Sequence, residues 1–114
     1  MAKYKVGDVV SIEFPFSDLR ERKRRPGLVL ASGDLDVLLA RLTTHASRDA
    51  ADVALRHWTA VGLPKASTVR LTKLLTVDAR LVHHKIGHVH PEDANAIAEA
   101  LKKLMTAIEK ELRK

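Results

Sequence analysis

Arg25, in the pair Arg25-Pro26, is the residue of this chain best equipped to do chemistry on an anion. Pro26 disfavours a helical backbone at the residue before it, so Arg25 is held extended and its direction is fixed. A guanidinium offers a planar fork of donors that matches the oxygens of a phosphate. Arg25 also ends a dense basic run, in which Arg20, Arg22, Lys23, Arg24 and Arg25 are interrupted only by Glu21. That run supplies +4 of the net charge of +6. A positive cluster held between two strands is a phosphate-binding device. The same residue types also describe an ordinary solvated basic loop, and sequence alone leaves both readings open.

The histidines offer a second chemistry. His83, His84, His88 and His90 fall close together, and on a strand His88 and His90 would share a face as a pair of metal ligands. No cysteine exists and the strand itself offers no carboxylate to complete the set, while Ile86 and Val89 read as packing residues. The expectation is therefore a surface histidine cluster, with no metal and no cofactor. His45 lies two residues after Thr43, and imidazole is the side-chain type most often used as an acid or base. It is a candidate proton acceptor, or a loop histidine without a role.

These groups must be positioned by short strands. Val10, Ile12, Phe14 and Phe16 alternate with polar or small residues, the period of a half-buried strand, which Pro15 ends or brings to an edge. Leu28 to Ala31 reads as a buried strand, residues 32–34 as a turn, and Val37 to Thr43 as a strand buried on both faces. A polar loop from Thr44 to Ala51 follows, then a strand from Asp52 to Arg56 and a turn at Gly62-Leu63-Pro64. In Ser67 to Leu71, Thr68 and Arg70 (with Thr72 beyond) share one face, and Val69 and Leu71 the other. Val82 to Val89 reads as the last strand. Five or six short strands with tight turns imply a mainly β domain, a small barrel or sandwich.

The tail differs. From Pro91, the residues Ala94, Ile97, Ala98, Leu101, Leu104, Met105, Ile108 and Leu112 recur at three- and four-residue steps, an amphipathic helix. Pro91 suits its first turn, Glu92 and Asp93 favour its positive end, and His90 takes the cap position. The apolar stripe is expected on the body of the domain or at a dimer interface. Balanced charge on the polar face and the lack of aromatics on the other argue against membrane binding.

A length of 114 residues reads as a single domain, 1–114. The absence of cysteine excludes thiol chemistry and disulfides. The N-terminus shows no apolar secretion segment and no run is long enough to span a membrane, so a soluble cytoplasmic protein is expected. The computed pI near 9.9 points to an anionic partner. With Tyr4, Phe14, Phe16 and Trp58 the only aromatics, a platform stacking several bases is not expected.

An ordered set of segments resembles the MazF/PemK toxin family, ribosome-independent endoribonucleases of bacterial toxin–antitoxin pairs. It comprises Gly7-Asp8-Val9-Val10, residues Phe14 to Leu19, Arg24-Arg25-Pro26-Gly27 to Leu30, Leu42-Thr43-Thr44, Trp58 with Gly62-Leu63, Ser67 to Leu74, and Lys85-Ile86-Gly87. The Gly62 to Leu71 segment is similar to the PemK-type branch. One difference is Gly27, where a bulkier apolar residue often follows the Arg-Pro pair.

The resemblance implies an SH3-like antiparallel barrel with a C-terminal helix, acting as a homodimer. It implies sequence-selective, metal-independent cleavage of single-stranded mRNA, with inhibition by a cognate antitoxin. It assigns catalysis to Arg25 and to Thr43, whose position at the end of the third strand contacts the scissile phosphate. The RNA-binding expectation falls on Arg20, Arg22, Lys23, Arg24, Thr44 and Arg70. The alternative is a non-catalytic SH3-like module that binds nucleic acid or a peptide.

Overall fold

The structure, a computed structural model, describes residues 3–14 and 23–114. Six strands, β1 (Asp8–Phe14), β2 (Lys23–Ser32), β3 (Asp36–Thr43), β4 (Asp52–Ala54), β5 (Thr68–Asp78) and β6 (Val82–His88), form one sheet in the order β4-β5-β3-β2-β1-β6. Every pairing is antiparallel. A short helix α1 (Trp58–Val61) lies between β4 and β5, and the long helix α2 (Pro91–Leu112) follows β6. The fold is the mainly β architecture with a C-terminal helix that the patterning implies. No helix among the described residues is long and apolar enough to cross a membrane.

Because strand side chains alternate between faces, the register sorts residues into two sets. One face carries Val9, Leu28, Ala40, Leu42, Val69 and Leu71, all buried. Leu55, Val61, Leu63, Val89 and Ile97 complete that core, joined by Ala94, Leu101 and Leu104 from the first half of α2. The other face carries Val10, Ile12, Val29, Val37 and Leu39 in a second cluster with Tyr4, Val77 and Val82. Further along this second face the apolar residues give way to Arg25, Arg41, Thr43 and Arg70. β3 is thus apolar on both faces only up to Leu39 and Ala40. Arg41 is exposed, so the expectation of burial on both sides holds for part of the strand.

The strand order is open, yet its ends are brought together. α1, following β4 at one end of the sheet, packs on β6 at the other. Gly87 permits this contact, since a Cβ there would collide with the carbonyl oxygen of Val61. Gly62 ends α1 with φ of +103°, a left-handed conformation open to glycine at little cost. The four residues of α1 carry too little periodicity to be seen in the sequence, and β5 runs past Leu71 to Asp78 while β4 stops at Ala54.

α2 is tied down at its start. His90 caps it, its Nδ1 accepting from the backbone N–H of Glu92 at 3.1 Å. Asp93, 1% exposed, accepts from the backbone N–H groups of Arg56 and His57, each at 2.9 Å. One buried carboxylate therefore satisfies two loop donors and binds the β4–α1 connection to the helix. Toward its end α2 loses its cover, leaving Met105, Ile108 and Leu112 exposed. Asp93→Ala orphans both donors, and two charge-assisted bonds of about 1.5–3 kcal/mol each predict a loss of roughly 3–6 kcal/mol in urea unfolding. Asp93→Asn, which keeps one acceptor oxygen, is expected to lose less.

Candidate active site and its groove

The register places the candidate catalytic groups in two adjacent cross-strand rows. Arg41 of β3 pairs with Gly27 of β2 on one side and with Arg70 of β5 on the other, and Arg70 pairs with Asp52 of β4. In the next row of the same face Thr43 pairs with Thr68, and the β2–β3 register continued by two residues sets Arg25 opposite Thr43. Gly27 lies in the first row, where Ile12 packs tightly over it; a Cβ there would stand 3.0 Å from Ile12 Cδ1 and 3.5 Å from Leu39 Cβ.

Around these rows runs an open groove of about 720 Å³ lined by Arg25, Pro26, Arg41, Leu42, Thr43, Thr44, His45, Arg48, Ser67, Arg70 and Lys73. Five of these residues are cationic and none is acidic. Such a wall focuses positive potential on whatever lies in the groove. The hydroxyl oxygen of Thr43 accepts the backbone N–H of His45 at 3.2 Å. Its own O–H is thereby left to donate elsewhere.

Arg70 is 9% exposed and its Nε is buried without a hydrogen-bond partner. Asp52 lies beside it in the ladder. Its Oδ2 accepts the backbone N–H of Arg48 at 2.9 Å and stands 3.6 Å from Arg48 Nε, while its Oδ1 is buried and unpartnered. A buried polar atom with no protein partner costs stability unless water or a ligand meets it.

Of the expected residues, Arg25, Thr43, Thr44, His45 and Arg70 all line the groove. Arg24 is exposed but pairs with Glu13 in the ladder, one residue out of phase with Arg25 and so on the opposite face. Arg20, Arg22 and the Lys23 side chain lie outside the described residues. Arg41, Arg48, Ser67 and Lys73 were not anticipated. Arg41 was within reach of the sequence, because it precedes Thr43 by two and shares its face. Lys73 enters through an irregularity in the β3–β5 pairing between Ala40 and Arg41, which alternation does not reveal.

The histidines separate. His88 Nδ1 lies 2.8 Å from Asp8 Oδ1, and Lys85 Nζ lies 3.3 Å from the same oxygen. Burial pushes the Asp8 carboxyl up, but the Lys5 backbone N–H, His88 and Lys85 outweigh it and hold it below the ordinary range. His83 and His84 border a hollow of about 380 Å³ with Lys3, Tyr4, Lys5, Asp8 and Lys85. His90 instead meets His57, their rings stacked with centroids 3.8 Å apart. His57 Nε2 lies 3.1 Å from Glu92 Oε2, and this contact holds the Glu92 carboxyl below its usual value.

Residues 5–105 match the family of PemK-like, MazF-like toxins of type II toxin–antitoxin systems. The chain belongs to this family. Solved structures with the same fold include MazE–MazF from Deinococcus radiodurans, 21% identical, covering 93% of this chain and 96% of that one at a TM-score of 0.74. An endoribonuclease in complex with its cognate antitoxin from a mycobacterial species is 21% identical, covering 88% and 92% at a TM-score of 0.70. The Mycobacterium tuberculosis toxin MazF-mt6 is 23% identical, covering 87% and 96% at a TM-score of 0.69. No curated protein matches the chain in sequence.

Arg70→Met keeps the apolar stem and removes the charge. Its binding of a 2′-O-methyl oligonucleotide is expected to weaken several-fold at low salt. The slope of log K against log salt should shrink by about 1. A slope equal to that of the unaltered protein would show that Arg70 does not reach the anion.

Proposed function

We propose that this chain is the toxin of a type II toxin–antitoxin pair and a metal-independent, sequence-selective endoribonuclease acting on single-stranded mRNA in the cytoplasm. The observation that carries this reading is the convergence of Arg25, Thr43 and His45 on one groove walled by cations and free of carboxylates. Family membership and the shared fold with a mycobacterial endoribonuclease support it.

RNA carries its own nucleophile. The 2′-hydroxyl attacks the adjacent phosphorus, the bond to the 5′-oxygen breaks, and the products are a 2′,3′-cyclic phosphate and a 5′-hydroxyl. The protein must orient the phosphate, offset the charge that grows on its oxygens and move two protons. Arg25 is exposed at the groove and supplies the charge. Thr43, with its oxygen already engaged by His45, donates its O–H to a non-bridging oxygen. Arginine stays protonated and threonine is not acidic, so neither is the base. His45 is the groove-lining group suited to take the 2′-hydroxyl proton.

The second row extends the site. Two residues along a strand span about 7 Å, a spacing suited to consecutive phosphates, so Arg41 and Arg70 hold the phosphate next to the one at Arg25 and Thr43. Thr44 and Lys73 flank the path, and the cations Arg20, Arg22 and Lys23 add to the long-range attraction for RNA. β4 pairs only with Thr68–Arg70, so β5 beyond it has an open outer edge among the described residues, with Leu74 and Leu75 exposed. That edge, beside Lys73, supports a homodimer whose RNA path continues from one protomer to its partner. The cognate antitoxin then acts as an acidic, apolar-studded segment that folds over the cationic groove. The toxin–antitoxin complexes solved for relatives of the same fold support that assignment.

Purified protein is expected to cut long single-stranded RNA in EDTA, leaving 5′-hydroxyl ends, and to spare RNA with a 2′-O-methyl group at the cut site. Arg25→Ala is expected to lose about a hundredfold to a thousandfold in rate while remaining folded. Cleavage of the methylated RNA, or an absolute need for a divalent ion, would overturn the mechanism.

A further inference from the structure

We propose that His57, His90 and Glu92 form a transition-metal site, for zinc or a chemically similar divalent ion, on the helix-covered side of the sheet and apart from the groove. One ligand atom from each of the three lies within 4.8 Å of the others. Two imidazoles and a carboxylate are a zinc-type donor set, with water available for a fourth position. Glu92 is exposed and His57 and His90 are half-buried, so an ion has a path of entry.

What separates this cluster from a chance meeting of surface side chains is the frame behind it. His57 comes from the β4–α1 connection, and His90 and Glu92 from the cap and first turn of α2. These segments are held together by the buried Asp93, which binds the backbone N–H of His57 itself at 2.9 Å. The ligands are thus preset by a contact that uses none of their own side chains. His57 Nε2 and Glu92 Oε2 already stand 3.1 Å apart, and the His57 and His90 rings are stacked with 21° between their planes. Because the stacked ring planes are nearly parallel, one imidazole must swing out of the stack about its side-chain bonds before both nitrogens face the same ion.

Binding has a defined cost. His90 Nδ1 accepts the Glu92 backbone N–H, which requires the proton to sit on Nε2. A metal must take one of these nitrogens. If it binds Nε2, the proton moves to Nδ1, and if it binds Nδ1, that lone pair is used. In both cases the cap bond is exchanged for a metal bond, and the neutral imidazole keeps its one N–H and releases no proton. The ion then clamps the start of α2 to the β4–α1 connection, adding a second tie beside Asp93. Its role is to stabilise the fold, with no part in RNA cleavage.

The test is titration of chelator-stripped protein with zinc by calorimetry, with Tm followed in parallel and cobalt as a spectroscopic probe. One equivalent of zinc should bind, Tm should rise by several degrees, and cobalt should give the intense visible bands of a tetrahedral site. His57→Ala leaves the Asp93 contact intact, because that contact uses the backbone. His90→Asn keeps a good helix cap while removing the imidazole. Both variants, and Glu92→Gln, should lose the stoichiometric binding and the Tm rise while keeping the metal-free Tm near that of the unaltered protein. A double His83→Ala, His84→Ala variant should bind as before. The proposal fails if zinc binding survives in His57→Ala and His90→Asn, if it follows His83 and His84, or if no Tm rise accompanies it. RNA cleavage in EDTA is a separate readout: its loss would count against the metal-independent mechanism and leave the binding result standing.

Discussion

The register of β2, β3 and β5 is the constraint on which the rest of this molecule depends. Side chains on paired strands share a face in cross-strand rows, so one choice of pairing brings Gly27, Arg41, Arg70 and Asp52 into line and Thr43 against Thr68. A slip of one residue would turn Arg41 and Thr43 into the core and Leu42 out to the groove. The pairing is pinned by burial. Leu28, Ala40, Leu42 and Val69 fill one core and Val29 and Leu39 the other, all at most 4% exposed. Burying a side chain of that size is worth about 1.5–3 kcal/mol. The arginines are therefore held in place by the apolar residues between them.

The second constraint is closure of an open sheet. β4 and β6 stand at opposite ends of the strand order, and α1 spans them through Val61 and Gly87. Asp93 then fixes the approach to α1 against the start of α2. Both devices act on the side of the sheet away from the groove, and together they hold its curvature. The groove face carries buried polar groups beside its apolar ones, among them Arg70 and Asp52.

The sequence made a good part of this legible, and the reasons are physical. Alternation in Val10-Ser11-Ile12-Glu13 and the three- and four-residue steps after Pro91 are local signals, and both elements are present. Arg25 could be singled out because Pro26 fixes its backbone, and Arg70 because Val69 and Leu71 place it on the opposite face. The roles of Arg25 and Thr43 rest on the family resemblance, and the structure brings both residues to one groove. Arg41 was passed over because an apolar run masks one exposed position. Lys73 and the meeting of His57 with His90 depend on a pairing irregularity and on a contact between segments more than thirty residues apart. Neither leaves a trace in local pattern. The same is true of Gly87, whose importance appears only when the Val61 carbonyl is seen beside it.

The chemical account comes down to where one phosphate sits. If the rows of β2, β3 and β5 are the catalytic surface, a substrate lacking only its nucleophile must settle there. The direct measurement is a crystal structure with a single-stranded RNA carrying a 2′-deoxy residue at the cleavage position. The account predicts the scissile phosphate within hydrogen-bonding distance of both the Arg25 guanidinium and Thr43 Oγ1, with the adjacent phosphate at Arg41 and Arg70. A phosphate path that bypasses Arg25 and Thr43, for example along the hollow between Lys3, His83 and Lys85, would contradict it.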